Sequence, residues 1–235
     1  MDEAPDVESS TDEYASRFAG KAGEYLLDVQ NHAVMQLAQT GSGGRALDVG
    51  GGHAQLCGPL LQAGYTVTVV GSAVSCFYRV RRDFGSCVTC VGGHLLELPF
   101  QDRSFDLVVA IRMLAHISDT QRFIAALCRV ARRAVIVDYP DAWSINAVTP
   151  LLYAAKKRVE GNTRKYRLYR RGDIIHLFEK QGFAEPQAIG QFFWPMVLHR
   201  MVAQPALSNA LETIPKAFGL NRVFSSPMIL RMVRT

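Results

Sequence analysis

The chain alternates between short apolar runs, typical of buried strands, and longer stretches with apolar residues at helical spacing. The runs that predict strands are Arg45–Val49, Tyr65–Val70, Cys87–Val91, Phe105–Ile111 and Ala134–Asp138. Helical spacing appears at Tyr14–Thr40, His53–Ala63, Ser72–Asp83 and Asp119–Ala131. Strands that alternate with helices form right-handed βαβ units, so this pattern predicts a parallel sheet covered on both faces.

Beyond Asp138 this alternation changes. The pattern predicts a basic helical insertion at 141–171, a helix at Asp173–Gln181 and a strand at Phe183–Gln191, then helices at Phe192–Val202 and Leu207–Phe218 and a last strand at Val223–Val233. We therefore treat 14–235 as a single domain with a basic insertion (141–171) and an apolar helical insertion (192–218). Residues 1–13 are acidic and polar, and we expect a disordered or loosely held tail there.

The stretch ALDVGGGHA at Ala46–Ala54 joins the first predicted strand to its helix. The apolar run ends at Asp48 and then passes through three glycines, Gly50, Gly51 and Gly52. Glycine has no Cβ, so a ligand can approach such a turn closely, and the following helix directs unpaired N–H groups at it. Ligands of parallel sheets bind at the carboxyl ends of the strands, which predicts a binding site here.

The formal net charge is +5, although the first 13 residues carry only acidic charges. The densest basic patch lies at 156–171. Such a patch attracts phosphates, an acidic substrate or an anionic membrane surface, and a solvated helix face is an equal alternative. The tyrosines and arginines of 166–171 form one short cluster without a recognisable RNA-binding module, so we do not expect nucleic acid as a partner.

Five cysteines, an odd number, occur without a secretory signal, which favours reduced thiols in a cytoplasm. Cys87 and Cys90 form a C-x-x-C spacing in a predicted strand, where residues three apart face opposite sides. We interpret them as buried apolar filler and predict no metal site.

Two apolar stretches raise the question of membrane contact. The uncharged run Val49–Tyr78 is broken by glycines and Pro59, so it does not predict a spanning helix. The segment Phe192–Val202 is compatible with an acceptor pocket for a lipid-like or aromatic molecule, with peripheral contact at a membrane interface, or with core or dimer packing. The sequence does not decide the oligomeric state.

Three motifs in order resemble class I S-adenosylmethionine-dependent methyltransferases. They are LDVGGG at Leu47–Gly52, ELPFQDRSFDLVVA at Glu97–Ala110 and VIVDYP at Val135–Pro140. The chain is most similar to the methyltransferase type 11 group, which includes the ubiquinone/menaquinone enzymes. The resemblance implies a Rossmann-like, doubly wound sheet of seven strands, mostly parallel with an antiparallel last strand, and S-adenosyl-L-methionine as the cofactor. The cluster Tyr14, Arg17 and Phe18 in the sequence separately predicts a helical N-terminal lid.

The resemblance also implies residue roles. It places Asp48, Gly50, Gly51 and Gly52 around the methionine part of the cofactor, Gly71 and Ser72 near the ribose, and His94 and Leu95 near the adenine. Ile111, Arg112 and His116 would follow the fourth strand, close to the transferred methyl group.

Two positions depart from the family pattern. An acidic residue that accepts from both ribose hydroxyls is usual where this chain has Gly71, and an aspartate that accepts from the adenine amino group is frequent where it has His94. A hydrogen bond to a charged group is worth ~1.5–3 kcal/mol, so losing both would weaken cofactor binding by roughly two to four decades. Ser72 and a neutral His94 nitrogen can compensate in part. Ala54 replaces a third glycine, a milder change.

For the chemistry, methyl transfer mainly requires alignment of the acceptor and exclusion of water. His116 is the first candidate for a general base, with helix packing as its alternative. Arg112 is a candidate for an anionic substrate or the cofactor carboxylate, and Tyr139 for a polar group at the pocket. The sequence thus predicts a methyltransferase for a small molecule, hydrophobic or phosphate-bearing. The alternative is a methyltransferase-like binding protein with weak or no turnover.

Overall fold

A computed structural model describes residues 4–38, 43–144, 167–202 and 204–235. Seven strands form one sheet in the order β3-β2-β1-β4-β5-β7-β6. They are β1 (Gly44–Val49), β2 (Tyr65–Gly71), β3 (Val88–Gly92), β4 (Phe105–Ala110), β5 (Ala131–Tyr139), β6 (Phe183–Gly190) and β7 (Met228–Arg234). The predicted α/β fold class is confirmed.

The α-helices of the described residues flank this sheet or precede it. They are α1 (Pro5–Ser9), α2 (Asp12–Ser16), α3 (Gly20–Ala38), α4 (Cys57–Gln62), α5 (Tyr78–Phe84), α6 (Thr120–Val130), α7 (Arg171–Glu179), α8 (Met196–Val202), α9 (Pro205–Ala217) and α10 (Asn221–Phe224). Short 3-10 turns occupy Val74–Phe77, Gly85–Cys87 and Leu114–His116.

The pairing of the strands creates a switch point at the centre of the sheet. β1 pairs in parallel with β2 on one side and with β4 on the other. β7 runs antiparallel to both of its neighbours, β5 and β6, as the resemblance predicts. The carboxyl ends of β1 and β4 therefore open a crevice, which is where ligands of doubly wound sheets bind.

Two apolar layers hold the sheet between helices. On one face Val34 of α3, Leu60 of α4 and Val80 of α5 are fully buried against the strands. On the other face Phe123 of α6 and Ile174 of α7 are fully buried in a second cluster. Alternate residues of the buried central strands supply both layers, so these strands are mostly apolar.

The N-terminal segment differs from the predicted loose tail. Residues Pro5–Ser9 and Asp12–Ser16 are helical, and the Asp6 side chain is fully buried. Thr11 caps α2 by accepting from the N–H of Tyr14 at 3.1 Å. The predicted helix Tyr14–Thr40 is divided, since α3 begins only at Gly20, whose φ is +72°.

Several helix boundaries also move. α4 begins at Cys57 rather than at His53, and Pro59 lies in its first turn, where a missing N–H costs little. The first part of the predicted helix Ser72–Asp83 is a 3-10 turn. Residues 192–195 precede α8 without being helical, and the predicted last strand is divided into α10 and β7.

The interpretation of Cys87 and Cys90 as buried filler is wrong. Cys87 is exposed in a 3-10 turn before β3, and Cys90 is half-buried. All cysteines carry free thiols, and the described residues contain no group of three metal-ligating side chains.

Most of the predicted basic insertion, 145–166, lies outside the described residues. None of the helices in the described part has the length and apolar character needed to cross a bilayer. At the other end of the chain, the N–H of Thr235 donates to the carbonyl of Gly182 at 3.0 Å, which holds the end of β7 beside the start of β6.

Candidate cofactor site at the glycine turn

The turn after β1 has the backbone that its glycines allow. Gly50 has a φ of +73°, in the left-handed region that favours glycine, and its N–H donates to the carbonyl of Val70 at 2.9 Å. Ala54, which replaces the family's third glycine, also has a positive φ, +65°. The turn is thus tied directly to the end of β2.

Two carboxyl groups are buried at the strand ends beside this turn. Asp48 at the end of β1 is 3% exposed, and Asp138 near the end of β5 is 5% exposed. Burial raises the pKa of Asp48 to about 7, and that of Asp138 to about 6, although the nearby Arg112 charge opposes both shifts. Perturbed carboxyl groups of this kind concentrate at functional sites.

Arg112 lies between these groups, immediately after β4. Its N–H donates to Asp138 Oδ1 at 2.6 Å, and its guanidinium donates to Gln55 Oε1 at 2.6 Å. Its φ is +63°, an unusual value for a non-glycine residue. Its Nη1 atom is buried and has no hydrogen-bond partner among the described residues. A cation held this way, with one donor unused, is suited to a carboxylate.

Aromatic side chains from the N-terminal segment cover the arginine. The Arg112 guanidinium lies 4.9 Å from the ring centroid of Phe18 and 5.8 Å from that of Tyr14. Both rings also pack edge-on against His53, at 5.6 and 6.2 Å. Burial, with the Arg112 and Arg79 charges, lowers the pKa of His53 to about 3, so its ring is neutral. This arrangement fits the predicted N-terminal lid.

The end of β2 carries a carboxylate that the sequence pattern did not suggest. Asp6 of α1 accepts from the Ser72 N–H at 2.6 Å and from the Ser72 hydroxyl at 2.7 Å. The Cys76 thiol donates at 3.3 Å to Oδ2, the same oxygen that accepts from the Ser72 N–H. An acid is therefore present beside Gly71, and it comes from the N-terminal segment rather than from β2.

Helix α1 also covers the glycine turn itself. The hydroxyl of Ser10, the C-cap of α1, lies in the space that a Cβ on Gly52 would need, and Ser9 lines the cavity that is left beside Asp48 and Arg112. That cavity is about 10 Å³, close to the space of a single water molecule. In this conformation the hollow over the glycine turn is filled largely by the protein's own residues.

Among the other predicted site residues, Ile111 lines the cavity beside Asp48 and Arg112, and the rest lie outside its lining. Leu95 is fully buried in the core, Ile111 is 7% exposed after β4, and His94 is exposed. Tyr139 is fully buried in the core cluster that packs against α6 and α7, and burial raises its pKa to about 12. His116 is half-buried at the end of its 3-10 turn. The catalytic roles of His116 and Tyr139 stay predictions.

Sequence reasoning missed Asp6, Ser9, Ser10, His53 and Gln55 as members of this region. The sequence offered only an indirect hint, a missing acid at Gly71 and several acids in the N-terminal segment, which does not single out Asp6. Its partner Ser72 is 66 positions away, so no local pattern joins the two.

These features together define a class I methyltransferase fold with a candidate cofactor site at the switch point. The family model described as a methyltransferase domain matches residues 47–137, from β1 to β5. The protein thus contains a class I S-adenosylmethionine-dependent methyltransferase domain, as the resemblance predicts.

Solved structures support the same fold. A SAM-dependent methyltransferase from Thermotoga maritima is 16% identical with a TM-score of 0.60, over 89% of this chain and 91% of that one. Magnesium protoporphyrin IX methyltransferase from Synechocystis, with bound SAH, is 18% identical with a TM-score of 0.56, over 89% and 83%. Phosphoethanolamine N-methyltransferase 2 of Haemonchus contortus, in complex with SAM, is 17% identical with a TM-score of 0.60, over 87% and 52%. No curated protein matches the chain by sequence.

The cofactor of such a domain is S-adenosyl-L-methionine, and the residues at the turn fit its methionine end. The unused Arg112 Nη1 suits the carboxylate, and the Asp48 carboxyl suits the ammonium group. At the ribose end the usual acid is absent at Gly71, and the Asp6 carboxylate lies against this position instead, 3.3 Å from where a Cβ on Gly71 would be. The site therefore fits the cofactor once α1 is displaced.

Proposed function

We propose that this protein transfers a methyl group from S-adenosyl-L-methionine to a small, largely hydrophobic acceptor. The observation that carries the proposal is the Asp48–Arg112 arrangement at the glycine turn, with Arg112 fixed by Asp138 and Gln55. The sulfonium of the bound cofactor supplies the activated methyl group. Asp48 and Arg112 hold its amino-acid end, and Tyr14 and Phe18 exclude water from above.

A hydrophobic acceptor is favoured by a cavity in the C-terminal lobe, which we define as Phe192–Phe224. The cavity is about 640 Å³, within the range of small-molecule sites, and its walls include Phe193, Trp194 and Leu211. Nearly all of its lining is apolar. Helix α8, which contributes Val202 to this cavity, also places Arg200 5.9 Å from the Phe18 ring. The lobe thus borders the aromatic lid.

The comparison with solved structures leaves a phosphate-bearing acceptor as a second, less favoured choice. Phosphoethanolamine N-methyltransferase 2 acts, by its name, on a phosphate-bearing compound. The predicted phosphate-attracting patch falls mostly on residues outside the description. The apolar cavity is the feature of this chain that bears on the choice.

Isothermal calorimetry with S-adenosylhomocysteine tests the cofactor part of the proposal. We expect binding by the native chain and a loss of at least about tenfold in Arg112→Ala, because a charged hydrogen bond is removed. Arg122→Ala is the matched control, since that arginine is exposed and pairs with Glu97. Absence of binding both by the native chain and by a chain without residues 1–10 contradicts the proposal.

Ala210→Trp tests the acceptor part. Ala210 lines the cavity, so the indole should fill it and abolish methylation of apolar acceptors. The measured quantity is the S-adenosylhomocysteine formed in the reaction. Ala206→Trp, on the same helix but outside the cavity lining, should leave turnover unchanged. Equal turnover by the two variants would show that the acceptor does not bind in this cavity.

The second candidate function is a methyltransferase-like binding protein without turnover. It is favoured by the small hollow, by Gly71, and by the exposed His94. Binding of S-adenosylhomocysteine without product formation from any acceptor, in the chain without residues 1–10, is its expected signature.

A further inference from the structure

The carboxylate of Asp6 is held in a place built for it. Both of its oxygens have donors within the chain, from the N–H and hydroxyl of Ser72 and the thiol of Cys76, and the side chain is 0% exposed. Burial of a carboxylate is unfavourable unless hydrogen bonds compensate, and here they do. An acidic segment is therefore fixed to the end of β2 rather than left in solvent.

Glycine at position 71 is what admits this carboxylate. A Cβ there would lie 2.9 Å from the Cys76 Cβ, 3.0 Å from the Phe77 ring and 3.3 Å from Asp6 Oδ2. An aspartate on β2 and the buried Asp6 cannot both be accommodated without movement. The absence of an acid at the end of β2 is thus what leaves room for the buried acid of α1.

The contacts of α1 extend over the part of the site where the cofactor must enter. Ser10 lies against Gly52 at the position of a Cβ, and the Ser10 hydroxyl also donates to the Asp6 carbonyl at 2.7 Å. Ser9 lines the remaining 10 Å³. A nucleoside many times larger than a water molecule cannot share this space with α1.

The next residues fasten the segment at its other end. Asp12 forms an ion pair with Arg79 of α5. Tyr14 and Phe18 close over Arg112 and His53. Residues 6–18 therefore form a continuous strap, from the end of β2 across the glycine turn to the end of β4.

We infer that α1 is an internal ligand of the cofactor site: its Asp6 carboxylate and serine hydroxyls occupy the hollow, and the cofactor binds only when they leave. This inference rests on the proposed function. The apparent dissociation constant of the cofactor is then its intrinsic value divided by the fraction of molecules with α1 displaced. Removal of α1 consequently tightens binding.

Calorimetry with S-adenosylhomocysteine on four proteins tests this: the native chain, a chain beginning at Thr11, Asp6→Ala and Glu13→Gln. The first two altered chains should bind about ten to a hundred times more tightly than the native chain, because two charge-assisted hydrogen bonds no longer compete. Glu13 is exposed and lies in the same strap, so Glu13→Gln should match the native chain.

Hydrogen exchange on the native chain provides a readout that does not depend on the shortened chain folding. S-adenosylhomocysteine should increase exchange at residues 5–10 while it slows exchange at 48–52. Weaker binding by Asp6→Ala would overturn the inference, since Asp6 would then hold the cofactor. Equal affinities, or protection of 5–10, would also overturn it. Binding by none of the four proteins is a different result, the failure of the proposed function.

Discussion

The glycine-turn region and the C-terminal lobe both bury carboxyl groups, but the pKa shifts of these groups have opposite directions. Glu212 of α9 is 0% exposed and accepts from His199 Nε2 at 3.1 Å, from Asn221 at 3.0 Å and from the N–H groups of Phe193 and Trp194. Burial would raise its pKa, yet these donors hold the pKa below its ordinary value. In the glycine-turn region burial prevails instead, and the pKa of Asp48 rises to about 7.

The difference separates a structural carboxylate from one that is suited to a ligand. Glu212 has its hydrogen bonds within the lobe and joins α8, α9 and α10 to the turn before α8. Asp48 has a neighbouring cation whose own guanidinium retains an unused donor. A ligand with an ammonium and a carboxylate would complete the second arrangement and has no place in the first.

The largest expected effect comes from removing the structural carboxylate. Glu212→Ala leaves His199, Asn221 and two backbone N–H groups without their acceptor, so we expect a loss of about 3–5 kcal/mol in the free energy of unfolding. Urea denaturation measures it. Glu179→Ala, which removes an exposed partner of His176, should change stability by less than about 1 kcal/mol. Similar values for the two variants would contradict the assignment of Glu212.

Asp48→Asn should change the free energy of unfolding in the opposite direction, as a gain at high pH, and by a smaller amount. The folded pKa of about 7 exceeds the ordinary value of 3.8, so the native state binds more protons between these pH values and its stability falls as pH rises through them. Asparagine removes that loss. We expect the variant to be roughly 1–3 kcal/mol more stable than the native chain at pH 8 and similar to it near pH 4.

Urea denaturation across this pH range, with calorimetry on the same samples, checks the prediction. Asp28→Asn, at an exposed position on α3, provides the control and should show neither effect. Asp48→Asn should also bind S-adenosylhomocysteine more weakly. A variant that gains no stability at high pH would show that burial does not dominate at Asp48.

The smallest expected effect concerns the ion pair that fastens the strap. Arg79→Ala removes the partner of Asp12, whose side chain is 78% exposed, so stability should fall by no more than about 1 kcal/mol. Affinity for S-adenosylhomocysteine should rise by a few fold, and less so at high salt. Arg82→Ala, which loses contacts with its α5 neighbours Asp83 and Tyr78 and none with the strap, should not alter affinity.

The alternating apolar pattern was sufficient to predict the strands and most of the helices, because burial on both faces leaves β1, β2 and β4 almost without polar residues. The motif around Asp48 likewise indicated the strand end and glycine turn at which we propose the cofactor site. It could not predict Asp6, since an acidic, polar segment looks the same whether it is solvated or buried against Ser72 and Cys76. That distinction depends on contacts between distant residues, which no local spacing encodes.

The boundaries that failed did so for conformational reasons. Helix Tyr14–Thr40 is interrupted before Gly20, whose positive φ does not show in the hydrophobic pattern. Cys87 was assigned to a strand by its apolar neighbours, but it lies one residue before β3 begins.

The reversed direction of β7 has a practical consequence for handling the protein. Met228 pairs with Tyr139 and Val233 with Ala134, so β7 ends at the amino edge of the parallel strands, across the sheet from the crevice. Affinity tags, fluorophores or surface linkers attached after Thr235 will project away from the hollow over the glycine turn. The same attachments ahead of Pro5 would lie beside α1 and could disturb its position over the glycine turn.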